Sequence, residues 1–190
     1  MKTVFFDIDT QLDFLYPAGA LYAKGAEKIV ANIAALNKYA GANGIPLIST
    51  MDAHSENDPE FRDWPPHCVV ETTGQQKPGS TLLEKRAIVP NRACEIADAQ
   101  QYLLEKQTFD CFTNVNLRSL LEKFAAKRYV VYGVVTEVCV KLAAFGLLKT
   151  GKRVELVTDA VRALTDEGGA KTLAEFTAAG GALTSVESLL

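Results

Sequence analysis

Residues 129–140 read YVVYGVVTEVCV, an apolar stretch that ends in a short polar turn with one cysteine. The β-branched and aromatic residues through Tyr132 predict a buried strand, and Cys139 then falls in the first turn of a helix predicted over residues 138–149. A helix amino terminus has unpaired N–H groups and a positive dipole potential, which lower the pKa of a thiol and can hold an oxyanion. The stretch therefore indicates a reactive cysteine or, without partners elsewhere, a small buried apolar side chain.

The rest of the chain alternates between strand-like and helical patterns. Strands are predicted at residues 3–8, 45–49, 102–105, 129–132, 154–157 and 182–185, and helices at residues 27–39, 115–126, 138–149 and 169–178. Strands separated by helices favour a parallel sheet covered on both faces, with functional residues at the carboxyl ends of the strands. Residues 51 to about 86 form a long irregular segment rich in Pro, His, Asp and Glu, which indicates a functional loop.

Composition and charge restrict the class of protein. A chain of 190 residues with 48% hydrophobic residues predicts one domain over residues 1–190. The net charge of −3 argues against nucleic acid or an anionic membrane as a partner. The first residues do not resemble a signal peptide and no apolar run is long enough to span a membrane, so a cytoplasmic protein is expected. The four cysteines form no CxxC pair and are expected to be free thiols.

Two charged residues lie where predicted strands end. Asp9 follows the first strand, where a carboxylate is placed to accept the proton of a nearby thiol, or simply to cap the following turn. Burial is expected to raise the pKa of Asp9 and make it a competent base. Lys106 ends a short strand, where a cation stabilises a thiolate and a carboxylate together. A solvated surface lysine is the alternative.

The long loop contains the only two histidines of the chain, His54 and His67. Asp52 precedes the first by two residues, and Glu60 and Trp64 lie between the two. Imidazole nitrogens and carboxylate oxygens in this spacing suit Zn²⁺, Mn²⁺ or Fe²⁺. The loop is therefore a candidate metal site, with an ordinary polar surface segment as the alternative.

These motifs together resemble the isochorismatase-like cysteine hydrolase superfamily and, within it, the nicotinamidases (pyrazinamidases). Residues 9–14, DTQLDF, are similar to the D-x-Q-x-D-F opening of that family, and Lys106 with Phe112 resembles its K-x-x-x-x-x-F segment. Residues 133–140, GVVTEVCV, resemble its G-x-x-T-[DE]-x-C-V turn. Leu12 and Glu137 stand where Asn and Asp are common in the family. The resemblance extends over nearly the whole chain.

The resemblance implies an α/β, three-layer Rossmann-like fold with a central six-stranded parallel sheet. It also implies a catalytic triad of Asp9, Lys106 and Cys139, with Cys139 as the nucleophile. The peptide bond between Val134 and Val135 is expected to be cis, and the N–H groups of Val135 and Cys139 are expected to form an oxyanion hole.

By the same resemblance, Asp52, His54 and His67 correspond to ligands of one divalent metal ion. The fourth ligand is assigned to Glu60 by its spacing, with Glu56 and Asp58 as alternatives. The substrate is expected to contact three further side chains, which are Phe14, Trp64 and Val134.

The activity implied is a metal-dependent hydrolysis of nicotinamide to nicotinate and ammonia through a cysteine thioester. A second hypothesis keeps the fold and triad but changes the substrate to an N-carbamoyl or ureido compound or another small amide. A third is a binding protein without enzyme activity, which the intact Asp9, Lys106 and Cys139 argue against. The only partner expected besides the small-molecule substrate is a second copy of the chain, in a homo-oligomer.

Overall fold

The computed structural model describes residues 2–190, and within them seven strands form one parallel sheet. The strands are β1 (Thr3–Ile8), β2 (Leu47–Asp52), β3 (Arg86–Val89), β4 (Gln101–Lys106), β5 (Arg128–Val134), β6 (Arg153–Arg162) and β7 (Ala182–Thr184). Their order is β3-β4-β2-β1-β5-β6-β7, and each neighbouring pair is parallel. The α/β class with a parallel sheet is confirmed, whereas the predicted number of six strands is wrong.

Strand β3 is the one that the sequence patterns missed. It has four residues, pairs only with β4 at the edge of the sheet, and buries only Val89 fully. A short edge strand lacks the continuous apolar run that marks the buried strands of a parallel sheet, so its sequence looks like loop. It directly follows the long irregular segment, which the structure shows between β2 and β3.

Helices cover both faces of the sheet. They are α1 (Leu12–Leu15), α2 (Val30–Ala42), α3 (Leu117–Phe124), α4 (Lys141–Leu148) and α5 (Asp166–Ala178). Side chains of β1 alternate between two cores, with Phe5 on the side of α1 and α2 and its neighbours Val4 and Phe6 on the side of α3, α4 and α5. The result is three layers. No helix in the described part of the chain is long and apolar enough to cross a membrane.

The helix predicted over residues 138–149 is built from two pieces. A π-helical turn, Thr136–Val140, follows β5 and contains Cys139, and regular α-helix begins at Lys141. π-helical turns are rare and occur often at functional sites. The cysteine therefore lies in a widened turn at the end of β5 and not in the first turn of an α-helix.

Gly133 lies in β5 beside Ile8, the last residue of β1, and has a φ of +118°. An added Cβ would lie 2.1 Å from the Ile8 carbonyl oxygen. We expect Gly133→Ala to lower the free energy of unfolding by roughly 3 kcal/mol or more, because the positive φ disfavours a side chain by about 1–2 kcal/mol and overpacking adds about 1–3 kcal/mol. Urea unfolding followed by circular dichroism measures the loss.

Gly151→Ala is the matched control for this substitution. Gly151 also has a positive φ, +71°, but an added Cβ there has no neighbour within 4 Å. Gly151→Ala should lose only the backbone contribution of about 1–2 kcal/mol. Equal losses of unfolding free energy in the two variants would show that the structure relaxes around the added Cβ at residue 133. The close approach to Ile8 would then not contribute to the loss of stability.

Candidate active site

Four chemically active side chains lie at the carboxyl ends of four adjacent strands. Asp9 follows β1, Asp52 ends β2, Lys106 ends β4, and Cys139 lies in the turn after β5. The strand order β4-β2-β1-β5 makes these strands neighbours, so residues far apart in sequence meet at one edge of the sheet. The structure therefore brings together the three residues predicted as a triad.

The ammonium group of Lys106 lies at the centre of this cluster. Its Nζ is 2.9 Å from Asp9 Oδ2 and 3.8 Å from Cys139 Sγ, and it also donates to Asp52 Oδ1. The side chain is fully buried, so its charge is balanced by two carboxylates and not by water. The contact with Asp52 was not expected from the sequence. It joins the candidate nucleophile to the candidate metal cluster.

Thr50 holds the carboxylate of Asp9 in place. The Thr50 hydroxyl donates to Asp9 Oδ1 at 2.6 Å and accepts the Asp9 N–H at 3.1 Å. Asp9 has a φ of +49°, a conformation that is uncommon outside glycine and occurs more often for Asp and Asn than for other residues. Sequence reasoning missed this role of Thr50, because nothing distinguishes it from any other buried threonine in a strand.

Burial dominates the protonation equilibria of the cluster. It raises the pKa of the Cys139 thiol well above its usual range; Lys106 opposes this shift, but the charges of Asp9 and Asp52 reinforce it. Burial also raises the pKa of Asp9, against the lowering by Lys106. The expected upward shift for Asp9 is confirmed. The expected lowering of the thiol pKa is wrong, since burial and the charges of Asp9 and Asp52 outweigh the effect of Lys106.

The peptide bond between Val134 and Val135 is cis, as expected. Both valines line the same pocket as Cys139. The Val135 carbonyl accepts the N–H groups of Val138 at 3.0 Å and Val140 at 3.2 Å, which fixes this segment against the turn. The residues expected to form an oxyanion hole therefore lie beside the thiol.

Asp52, His54 and His67 form a buried cluster whose candidate ligand atoms all lie within 4.8 Å of one another. Asp52 Oδ2 is 3.9 Å from the Nε2 atom of each histidine. A parallel bridge between His54 and Val69 aligns the two histidine segments, and the His54 N–H donates to the Cys68 carbonyl at 3.2 Å. The structure therefore brings together three of the four predicted metal ligands.

The outer ring nitrogen of each histidine lies close to an oxygen outside the cluster. His54 Nδ1 is 3.1 Å from Asp58 Oδ2, and His67 Nδ1 is 2.7 Å from the Pro65 carbonyl oxygen. Both Nε2 atoms face Asp52, and both ring nitrogens of His54 are buried without a hydrogen bond among residues 2–190. Metal-binding histidines use the outer nitrogen in this way, which leaves the inner nitrogen free to bind. These residues fit one divalent ion, as expected.

Glu60 is the carboxylate that approaches this cluster from the loop. Its Oε1 lies 3.7 Å from His67 Nε2, and its N–H donates to Asp58 Oδ1 at 2.9 Å. Asp58 itself faces an outer histidine nitrogen, and Glu56 is exposed. Of the three carboxylates considered from the sequence, the geometry favours Glu60 as the fourth ligand.

Two residues of the motif at residues 9–14 form hydrogen bonds to the backbone of the candidate metal cluster. The side-chain amide of Gln11 accepts the Asp52 N–H at 2.7 Å and donates to the Asp52 carbonyl at 2.9 Å. The Asp13 carboxylate accepts the N–H of Cys68, the neighbour of His67, at 2.7 Å. Sequence reasoning assigned no role to Gln11 or Asp13, although their fixed spacing after Asp9 was the available signal.

A pocket opens onto the thiol, and its walls are mainly apolar. Apolar residues that line it include Phe14, Leu21, Trp64, Phe109, Val138 and Leu164. Phe14 and Trp64, predicted to contact a substrate, are both among them. The acidic residues that line the pocket are Asp9 and Asp52, and no arginine or lysine among the described residues lines it. Such a pocket suits a small, flat and uncharged molecule.

Residues 3–188 match the family model of the isochorismatase domain. The chain belongs to the isochorismatase family. The expectation of a hydrolase that acts on carboxamide C–N bonds is confirmed at the level of this family.

Three relatives of this isochorismatase-family chain are informative. The crystal structure of the pyrazinamidase of Pyrococcus horikoshii in complex with zinc has 27% identity and a TM-score of 0.84, with 97% of this chain and 99% of that chain covered. The PnC1 protein of L. infantum in complex with nicotinate has 26% identity and a TM-score of 0.80, with coverage of 97% and 93%. The nicotinamidase of Saccharomyces cerevisiae is 22% identical over 201 residues, with coverage of 88% and 90%.

All four cysteines of this isochorismatase-family protein are free, as expected. Cys68 and Cys111 are buried close to the site, whereas Cys94 is exposed. Burial raises the pKa of the Cys68 and Cys111 thiols well above their usual range. Cys139 differs from them because it alone among the cysteines lines the pocket.

Proposed function

We propose that this member of the isochorismatase family is a metal-dependent cysteine amidohydrolase that converts nicotinamide and water to nicotinate and ammonia. The observation that carries the proposal is Lys106, which contacts both the Asp9–Cys139 pair and Asp52 of the metal cluster at the base of one apolar pocket. The similarity to a nicotinamidase, a zinc-bound pyrazinamidase and a nicotinate-bound protein supports it.

In the first half of the proposed reaction Asp9 accepts the proton of the Cys139 thiol. Burial raises the pKa of Asp9, which makes its carboxylate a stronger base, and Lys106, 3.8 Å from the sulfur, stabilises the thiolate when it forms. The sulfur attacks the carboxamide carbon, and the N–H groups of Val135 and Cys139 hold the oxyanion. The C–N bond then breaks, and Asp9 returns the proton to the departing ammonia.

In the second half water replaces ammonia in the pocket. Asp9 takes a proton from this water, whose oxygen attacks the thioester carbon. The C–S bond breaks, Asp9 returns its proton to the sulfur, and the carboxylic acid product loses its own proton to solvent and leaves as the carboxylate.

The ligands of the divalent metal ion in this proposal are Asp52, His54, Glu60 and His67. When bound, a Zn²⁺, Mn²⁺ or Fe²⁺ ion there supplies a Lewis-acid position for the ring nitrogen of the substrate. Phe14 and Trp64 offer flat apolar surfaces for the ring, and Val134 contributes to the same wall.

The lining of the pocket supports an uncharged amide such as nicotinamide over an N-carbamoyl amino acid. An N-carbamoyl amino acid carries a carboxylate, which needs a cation that is not already paired. No lysine or arginine among the described residues lines the pocket, and the buried Lys106 already contacts Asp9 and Asp52. An uncharged heteroaromatic amide requires no such partner.

Ammonia release from the purified, metal-loaded protein tests the proposal. Nicotinamide should be hydrolysed at least about 100-fold faster than benzamide, which lacks the ring nitrogen, and faster than N-carbamoylsarcosine, which carries a carboxylate. Chelation followed by return of zinc should abolish and restore the reaction. Faster hydrolysis of N-carbamoylsarcosine would support the second hypothesis, and no ammonia from any of the three would reject nicotinamide hydrolysis.

A further inference from the structure

The carboxylate of Glu137 joins the turn that contains Cys139 to the start of α5. Its two oxygens accept the N–H of Leu164 at 3.0 and 3.2 Å, and Oε1 also accepts the N–H of Thr165 at 3.1 Å. Hydrogen bonds to an ionised acceptor are roughly twice as strong as those between neutral groups. Because Glu137 lies two residues before Cys139, it fixes residue 164 relative to the sulfur.

The surroundings of Glu137 leave room for this contact. An added Cβ on Gly168, in the first turn of α5, would lie 2.8 Å from Glu137 Oε1. The Thr165 hydroxyl accepts the Gly168 N–H at 3.0 Å and caps the helix. The segment that precedes α5 is thus held by its own cap and by a carboxylate from the nucleophile turn.

The side chain held in this way is the outer wall of the pocket. Leu164 lines the pocket together with Cys139, yet 44% of its surface is exposed. Phe14, on the same pocket, is 6% exposed and belongs to the core. Leu164 therefore lies where the wall of the pocket meets solvent, and a ring substituent that projects from the pocket would meet it.

We propose that Leu164 is the specificity-determining residue for substrate size and that Glu137 is its positioning residue. The role of Leu164 in substrate selection rests on the proposed amide hydrolysis. Its steric effect on access to Cys139 does not depend on that function. With Leu164 in place, single-ring amides fit and larger ring systems are rejected. One or two misplaced carbon atoms in an apolar pocket change selectivity by about 10- to 200-fold.

Steady-state kinetics with two amides test the role of Leu164. Leu164→Ala should raise kcat/KM for quinoline-3-carboxamide relative to nicotinamide by at least about 10-fold. Leu183→Ala is the matched control, since Leu183 is 43% exposed but lies on β7 and does not line the pocket. The control should leave the ratio unchanged. An unchanged ratio in Leu164→Ala overturns the inference.

A double-mutant cycle tests whether Glu137 acts through Leu164. Glu137→Ala should raise the same ratio, and adding it to Leu164→Ala should raise it no further, because the wall is already gone. Glu137→Gln keeps one carbonyl acceptor and should restore part of the selectivity. A purely structural role predicts equal losses for both amides with no change in their ratio, and that result rejects Glu137 as a positioning residue.

Alkylation of Cys139 separates this inference from the proposed function. The cysteine sulfur displaces iodide from iodoacetamide or from the bulkier N-(1-naphthyl)iodoacetamide, and mass spectrometry follows the product. Leu164→Ala should increase the bulky-to-small rate ratio at Cys139 at least about 10-fold, without a change at the exposed Cys94. This result without nicotinamide turnover rejects the proposed function alone. Turnover with unchanged ratios in both assays rejects the inference alone.

Discussion

Replacement of Cys139 by alanine should reduce the rate of amide hydrolysis by roughly four to six orders of magnitude, as removal of a covalent nucleophile does in other hydrolases. Without the sulfur no thioester forms, and neither the pocket nor Lys106 provides another nucleophile. The site should remain folded, because Asp9 and Lys106 still pair at 2.9 Å. Single-turnover ammonia release measures the loss, and a circular dichroism spectrum verifies the fold.

Cys111→Ala is the control for the thiol prediction. Cys111 is also a buried thiol on the same side of the sheet as Cys139, but it does not line the pocket. Its replacement should leave the rate within about threefold of the native protein, since only packing changes. A comparable loss in both variants would mean that core packing, and not a nucleophile, explains the effect of Cys139→Ala.

Replacement of His54 by alanine should lower the affinity for zinc by more than about 100-fold and remove the metal-dependent activity. The substitution deletes a buried Nε2 that faces Asp52 Oδ2 at 3.9 Å. Loss of an outer partner of a metal ligand lowers affinity by about 10- to 100-fold, so loss of the ligand itself should exceed that range. Equilibrium dialysis with zinc measures the affinity directly.

The neighbouring carboxylates provide graded controls for the metal prediction. Asp58→Asn keeps an oxygen that can accept the Glu60 N–H, but it weakens the outer contact to His54 Nδ1 and should lower zinc affinity by about 10- to 100-fold. Glu56→Gln, at an exposed position, should have no effect. Glu60→Gln should fall nearer to His54→Ala than to Glu56→Gln. Unchanged affinity in Glu60→Gln would remove Glu60 from the ligand set.

The sequence predicted the sheet best where strands are buried on both faces. β1 and β5 are continuous apolar runs, and their positions were predicted correctly to within a few residues. β3 was missed because four residues at a sheet edge carry almost no burial signal. The π-helical turn at Cys139 was also missed. The pattern of apolar residues in the sequence does not distinguish one π-helical turn from the first turn of an α-helix.

For the candidate site, the sequence predicted which residues take part but not the surroundings that determine their pKa values. Residue type and strand-end position were enough to select Asp9, Lys106 and Cys139, which the structure brings into contact. The direction of the thiol pKa was predicted wrongly, because burial and the second carboxylate, Asp52, depend on how strands from distant parts of the chain are ordered. The support from Thr50 likewise depends on the pairing of β1 with β2, which sequence periodicity does not report.

The strand order also divides the active site between two halves of the polypeptide. β3, β4, β2 and β1 come from the first 106 residues and carry Asp9, Lys106 and the metal cluster, whereas β5, β6 and β7 follow and bring Cys139. The pairing of β1 with β5 is the seam between them, and Gly133 lies on it. Damage at this seam would yield a molecule that keeps the proposed metal ligands together but loses the alignment of Asp9 and Cys139. If the proposed function holds, metal content alone would then overstate the active fraction of a preparation.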